Sequence, residues 1–109
     1  MTEYNRGDVV WVRLDPTFGA EIKKERPCVI LSITVLNQKR ETVVVIPLAS
    51  SGSVHAPLVI AVPSIGKESN ARIDQIRTID KKRISRKLGM LTDEEMCQIE
   101  QALSVVLGV

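Results

Sequence analysis

Residues 27–48 read PCVILSITVLNQKRETVVVIPL, and this stretch decides the fold class. Its two ends, Pro27 to Leu36 and Glu41 to Leu48, are dense in Val, Ile and Thr, whose branched side chains suit a pleated surface better than a helix. Asn37 to Arg40 between them is short and polar, so the stretch predicts an antiparallel hairpin. On the N-terminal side, Asp8 to Leu14 alternates toward its end, with Trp11 and Arg13 on one face and Val10, Val12 and Leu14 on the other. That pattern predicts a half-buried strand behind Arg6-Gly7. On the C-terminal side, Ser50 to Val54 reads as a flexible connection to a fourth strand, Pro57 to Val62, closed by Pro63. Asn70 to Asp80 spaces Ala71, Ile73, Ile76 and Ile79 among polar residues, which predicts a fifth strand with an irregularity near Gln75.

One helix completes the pattern. Thr92-Asp93-Glu94-Glu95 is a capping box, in which the Thr92 hydroxyl accepts from the Glu95 amide and the Glu95 carboxylate accepts from the Thr92 amide. Leu91 and Met96 flank it as a hydrophobic staple. Met96, Ile99, Ala102, Leu103 and Val106 fall on one helical face, and Gly108 is a natural stop. The fold class expected is mainly β with a C-terminal helix, a small curled antiparallel sheet or barrel held by aliphatic burial.

Composition narrows the function. The 109 residues, 44% of them hydrophobic, suit one domain over residues 1–109. Aromatics are 3%, namely Tyr4, Trp11 and Phe18, too few for a wide base-stacking platform. No apolar run reaches membrane-spanning length and no signal-like segment opens the chain, so a cytoplasmic protein without a membrane partner is expected. Cys28 and Cys97 sit in apolar-patterned segments and read as buried free thiols. His55 is the sole histidine, so histidine triads and His-rich metal sites are poorly supported, and the glycines form no phosphate-loop motif. No metal or cofactor is expected. Charge is uneven: residues 1–87 hold all 15 Lys and Arg with nine acids, whereas residues 88–109 hold four acids and no base. The basic part is a plausible place to meet a polyanion, with a plain solvated surface as the alternative.

The order of the motifs resembles a known family. Arg6-Gly7-Asp8-Val9-Val10-Trp11-Val12, Leu14-Asp15-Pro16-Thr17, Arg26-Pro27, Pro47-Leu48-Ala49-Ser50-Ser51, Asp74-Gln75-Ile76-Arg77-Thr78-Ile79-Asp80 and the terminal Leu107-Gly108 are similar to the MazF/PemK toxins over nearly the full length. The resemblance implies an SH3-like small barrel, a homodimer, metal-independent cleavage of single-stranded RNA at short sequences, and silencing by a MazE/PemI-like antitoxin. It also implies that the ribose 2′-hydroxyl is the nucleophile, leaving a 2′,3′-cyclic phosphate and a 5′-hydroxyl.

Site residues follow from the same resemblance. Arg26 matches the catalytic arginine, suited to stabilising the phosphorane because guanidinium is too weak an acid to donate a proton readily; the bare residue alone reads first as a surface ion pair with Glu21 or Glu25, and the family context reverses that reading. Members usually carry Thr or Ser after the Pro-Leu pair, where this chain has Ala49. The hydroxyl role then passes to Ser50, with Ser51 binding substrate, or the chain is a catalytically weakened RNA- or antitoxin-binding module. Asp74 is the third catalytic candidate, either as a base or as an ion-pair partner of Arg72 and Arg77. Arg72 and Gln75 are matched to RNA binding, as are Thr17, Phe18, Glu21, Lys23 and Lys24 in the long loop before Arg26. The lysines supply backbone attraction and Phe18 a single base stack.

Overall fold

The computed structural model describes residues 3–109. Seven strands run in the order β1 (Asp8–Arg13), β2 (Glu25–Ile30), β3 (Thr42–Ala49), β4 (Val59–Ala61), β5 (Asn70–Arg72), β6 (Arg77–Asp80) and β7 (Ile84–Met90). Two helices accompany them, α1 (Thr34–Lys39) between β2 and β3 and α2 (Asp93–Leu107) at the end. All strand pairings are antiparallel, in the spatial order β4-β5-β3-β2-β1-β7, with β6 also on β3. The outer strands β4 and β7 do not pair with each other, so the sheet curls in a barrel-like manner without closing.

Strand alternation gives the sheet two apolar faces. Val10, Val12, Leu14, Cys28, Ile30, Val43, Val45 and Ile79 pack into one cluster. Val9, Val29, Ile46, Leu48, Ala71 and Ile73 pack on the other side against Met96, Ile99 and Ala102 of α2. Trp11 and Arg13 lie on the side away from the first cluster, as the alternation of β1 requires. Among the described residues no helix is long and apolar enough to cross a membrane.

Three expectations need correction. The 27–48 stretch is antiparallel, but β2 stops at Ile30 and α1 occupies Thr34–Lys39 where strand and turn were expected. Buried Asn37 explains the change: its amide nitrogen donates to the carbonyls of Tyr4 and Ser32, at 2.9 and 3.0 Å, and its amide oxygen accepts from the Ser32 hydroxyl. These bonds, the one to Tyr4 reaching distant chain, outweigh the β preference of Ile33, Thr34 and Val35. The expected single strand over residues 70–80 is two strands separated by a 3-10 turn at Ile73–Gln75, and β7 had no forecast. Cys97 is exposed, because it lies next to rather than on the apolar stripe of α2; Cys28 is buried as expected.

The helix start is built as the sequence specifies. Both capping-box hydrogen bonds form, Leu91 and Met96 are buried, and Gly108 ends α2 with φ of 71°. A partner from outside the helix joins the cap: Ser64 donates to Glu95 from its amide at 3.0 Å and from its hydroxyl at 2.5 Å. Burial raises the Glu95 pKa, but these bonds and those from Thr92 outweigh it and hold the carboxyl below its ordinary value of 4.5. Glu95→Gln is therefore expected to cost about 1–2 kcal/mol at neutral pH. A group with a depressed folded pKa stabilises above its unfolded pKa and loses that contribution as pH falls through the folded value. Urea titrations should thus show the gap between wild type and variant closing in acid below 4.5; a gap independent of pH would contradict a charged cap.

Candidate active site

The register places three strand ends side by side. Cys28 of β2 pairs with Pro47 of β3, and Ala49 of β3 pairs with Asn70 of β5. Alternation then puts Arg26, Ala49, Asn70 and Arg72 on one face of the sheet, the face of Cys28 and the first apolar cluster. Cys28 on the same face is buried, and burial pushes its thiol up to about 12, with the nearby Arg77 charge pulling partly against this.

Arg26 is half-buried, and its Nε–H donates to the Lys23 carbonyl at 3.3 Å. Neither Glu21 nor Glu25 forms the alternative ion pair; Glu21 instead accepts from the Phe18 amide at 2.7 Å and so closes its own loop. No carboxylate pairs with Arg26 among the described residues. The terminal nitrogens of the guanidinium remain available to an anion.

The loop before Arg26 is tied down at several points. Asp15 accepts from the Lys24 amide and the Thr17 hydroxyl, both at 3.1 Å, and the Leu14 amide donates to the Lys24 carbonyl at 2.8 Å. The bond from the Lys24 amide is the chief reason the Asp15 carboxyl lies below its ordinary range. Lys24 is held at φ of 68°, a left-handed conformation that a lysine adopts only when its surroundings enforce it. Arg83 donates to the carbonyls of Arg13 and Asp15, and Arg77 to that of Leu14. Across the site, Gln75 accepts from the Ile22 amide at 3.3 Å and joins this loop to the 73–75 turn.

These contacts frame a groove of about 480 Å³ lined by Leu14, Ala20, Glu21, Ile22, Pro47, Asp74, Gln75, Ile76 and Arg77. Of the candidates, Glu21, Asp74 and Gln75 meet on its wall. Arg26, Ser50 and Ser51 stand outside that wall at the strand ends, and Lys23 and Lys24 are exposed on the loop. Phe18 is 85% exposed, free to stack on a base. The ion-pair alternative for Asp74 does not occur: its carboxylate is exposed and pairs with neither Arg72 nor Arg77.

Sequence reasoning missed two participants. Arg77 lines the groove and supports the loop; it lies inside the Asp74–Asp80 motif, so the motif itself was the signal. Asn70 is 1% exposed and lies directly across from Ala49, a placement that only the register reveals.

Residues 5–107 match the model of a family described as PemK-like, MazF-like toxins of type II toxin-antitoxin systems. The chain belongs to this toxin family. It is 32% identical over 109 residues to the endoribonuclease MazF of Staphylococcus epidermidis, covering 95% of this chain and 91% of that protein. Its fold is similar to crystalline MazF from Deinococcus radiodurans, with a TM-score of 0.90, 22% identity and full coverage of both chains. It is also similar to a mycobacterial endoribonuclease solved with its cognate antitoxin, with a TM-score of 0.80, 26% identity, and coverage of 100% of this chain and 97% of that one. The MazF/PemK resemblance of the motifs and the observed architecture therefore agree.

Proposed function

We propose that this chain is the endoribonuclease of a toxin–antitoxin pair, cutting single-stranded RNA as a homodimer without a metal ion and inhibited by a cognate antitoxin seated over the same groove. The observation that carries the reading is Arg26: a half-buried guanidinium at a strand end, with no carboxylate partner among the described residues, near a groove whose wall carries Glu21, Asp74, Gln75 and Arg77. The family relationship and the relatives' activity support it.

The reaction needs no protein nucleophile. The ribose 2′-oxygen loses its proton and bonds to the adjacent phosphorus, the bond from phosphorus to the 5′-oxygen breaks, and that oxygen takes up a proton. The products are a 2′,3′-cyclic phosphate and a 5′-hydroxyl. Negative charge builds on the phosphoryl oxygens during attack, and Arg26 stabilises it there. Asp74, an unpaired carboxylate on the groove wall, is the acceptor assigned to the 2′ proton, and the Ser50 hydroxyl hydrogen-bonds the reacting group. Lys23 and Lys24 hold the flanking backbone.

The test is incubation of the purified protein with a long single-stranded RNA in EDTA, followed by end-group analysis. Fragments ending in cyclic phosphate, with 5′-hydroxyl partners, are expected. Intact RNA at every ionic strength overturns the nuclease, and 5′-phosphate products overturn the mechanism.

A second reading rests on Ala49, whose methyl supplies no hydrogen bond where relatives place a hydroxyl: a weakened nuclease retained as an RNA- or antitoxin-binding module. Ala49→Thr separates the two. A large gain in cleavage supports weakening, whereas full activity in wild type with loss in Ser50→Ala supports Ser50.

A further inference from the structure

Asn70 and Arg72 use their side chains on the protein itself. The Arg72 Nε–H donates to the Asn70 amide oxygen at 2.8 Å, and its Nη2 donates to the Ser51 carbonyl. The Asn70 amide nitrogen donates to the same Ser51 carbonyl at 3.2 Å and to that of Glu68 at 3.5 Å. Asn70 is 1% exposed, so its amide is committed to these partners, and one carbonyl of the 50–53 loop is gripped by two side chains from β5. Gly52 closes the fit: its φ is 90°, and a Cβ built on it would lie 2.8 Å from Arg72 Nη2. Only glycine lets the loop pass this close to the guanidinium.

We infer that Asn70 and Arg72 form a clamp that positions the 50–53 loop for RNA cleavage, and that Arg72 is a positioning residue rather than a grip on RNA phosphate. The inference rests on the nuclease reading of the same site. Its physical content is the peptide plane between Ser51 and Gly52. Pinning the Ser51 carbonyl toward β5 turns the Gly52 N–H the opposite way, because the two groups point apart across a trans peptide. The plane also fixes where the chain leaves β3, and so where Ser50 presents its hydroxyl. Ala49 makes the arrangement necessary: with no hydroxyl on the last residue of β3, the polar groups of this strand end come from a loop, and a loop needs external support to hold them within the fraction of an ångström that chemistry demands.

Single-turnover cleavage of one RNA by Arg72→Ala, Arg72→Lys and Gly52→Ala tests this. A clamp predicts that the maximal rate falls about 10- to 100-fold in all three, with RNA affinity within about twofold of wild type. It also predicts that the salt slope of binding is unchanged. Lysine fails in this role because it lacks the planar fork that reaches Asn70 and Ser51 together. A phosphate grip predicts the reverse: weaker binding and a salt slope reduced by about 0.7 in Arg72→Ala, with lysine restoring both and Gly52→Ala without effect. That second pattern overturns the inference. Backbone 15N order parameters supply a readout independent of activity and of the nuclease reading. Lower order confined to residues 50–53 in Arg72→Lys is expected, and unchanged order there overturns the clamp. Wild-type protein that leaves RNA intact while its loop order still responds to Arg72→Lys overturns the nuclease and leaves the clamp standing.

Discussion

Arg26→Ala is expected to slow RNA cleavage by about 10²- to 10³-fold, equivalent to about 3–4 kcal/mol of transition-state stabilisation. The expectation follows from where the side chain sits and how little of it the fold consumes. One of its N–H groups meets the Lys23 carbonyl at 3.3 Å, and no carboxylate neutralises it among the described residues. Partial burial beside the groove keeps the charge from being fully screened by water, so it acts on a phosphorane more strongly than an exposed arginine would. The same economy predicts a small effect on folding, within about 1 kcal/mol in urea titration, since a single long hydrogen bond is lost. Arg26→Lys keeps a point charge but loses the planar fork, and its rate should fall between wild type and Arg26→Ala. The measurement is single-turnover cleavage at saturating protein. A rate for Arg26→Ala within about tenfold of wild type would move the electrostatic role elsewhere on the site.

The parts of the fold legible in the sequence are those whose cause is local. Helix α2 carries its own start, stripe and stop in Thr92, Glu95, the Met96-Ile99-Ala102 face and Gly108, and the structure contains each as read. The alternation of Val10, Val12 and Leu14 is likewise a local signal and gave the correct buried face. Helix α1 was illegible because its cause lies elsewhere: Asn37 bonds to the Tyr4 carbonyl, and Thr34 donates to Asn5. Strand β7 escaped because Arg86 interrupts the alternate apolar positions Ile84, Leu88 and Met90 of ISRKLGM, and Leu88 and Met90 are exposed. It is an edge strand whose pairing with β1 shifts register twice, and its Arg86 lies over the Trp11 ring. Charge and irregularity of this kind keep an edge from recruiting another strand, and they also erase the pattern by which a strand is recognised.

The candidate site divides in the same way. Arg26 was singled out through a motif, and Asp74 and Gln75 through the block that also holds Arg77. What each arginine does was not. Arg72 and Arg77 flank Asp74 in sequence and invite an ion-pair reading. In space Arg72 turns to the Asn70 amide oxygen and the Ser51 carbonyl, and Arg77 to the Leu14 carbonyl, so both guanidinium groups meet neutral oxygens and Asp74 is left open. Spacing along one strand sets which face a residue occupies, while the acceptor it finds depends on which loop the fold brings to that face.

The second large effect is expected at a residue with no chemistry of its own. Ile73→Ala should lower stability by about 3 kcal/mol, within the range of 2–5 for a large buried aliphatic residue, and Tm by roughly 10–20 °C. Ile73 is fully buried in the 3-10 turn between Arg72 and Asp74, in the same cluster as Met96, Ile99 and Ala102 of α2 and Leu48 of β3. Its amide donates to the Leu58 carbonyl at 2.9 Å and its carbonyl accepts from Ile76, so the backbone of the turn is fixed at both ends and cannot slide to fill the void. A domain of this size is held by only about 5–15 kcal/mol in total, so the loss is a large share. Ile73→Val removes one methylene and should cost about 0.5–1.5 kcal/mol. Function should suffer beyond the unfolded fraction. The turn is the link between α2 packing on one face of the sheet and the groove on the other. Loosening it frees Gln75 from the Ile22 amide and displaces Asp74 from the wall. Cleavage by Ile73→Ala, assayed well below its Tm where the protein is folded, is therefore expected to be slower than wild type. Ile73→Val should cleave at the wild-type rate. Equal rates for Ile73→Ala and wild type under those conditions would show that the groove wall holds its geometry without the helix behind it.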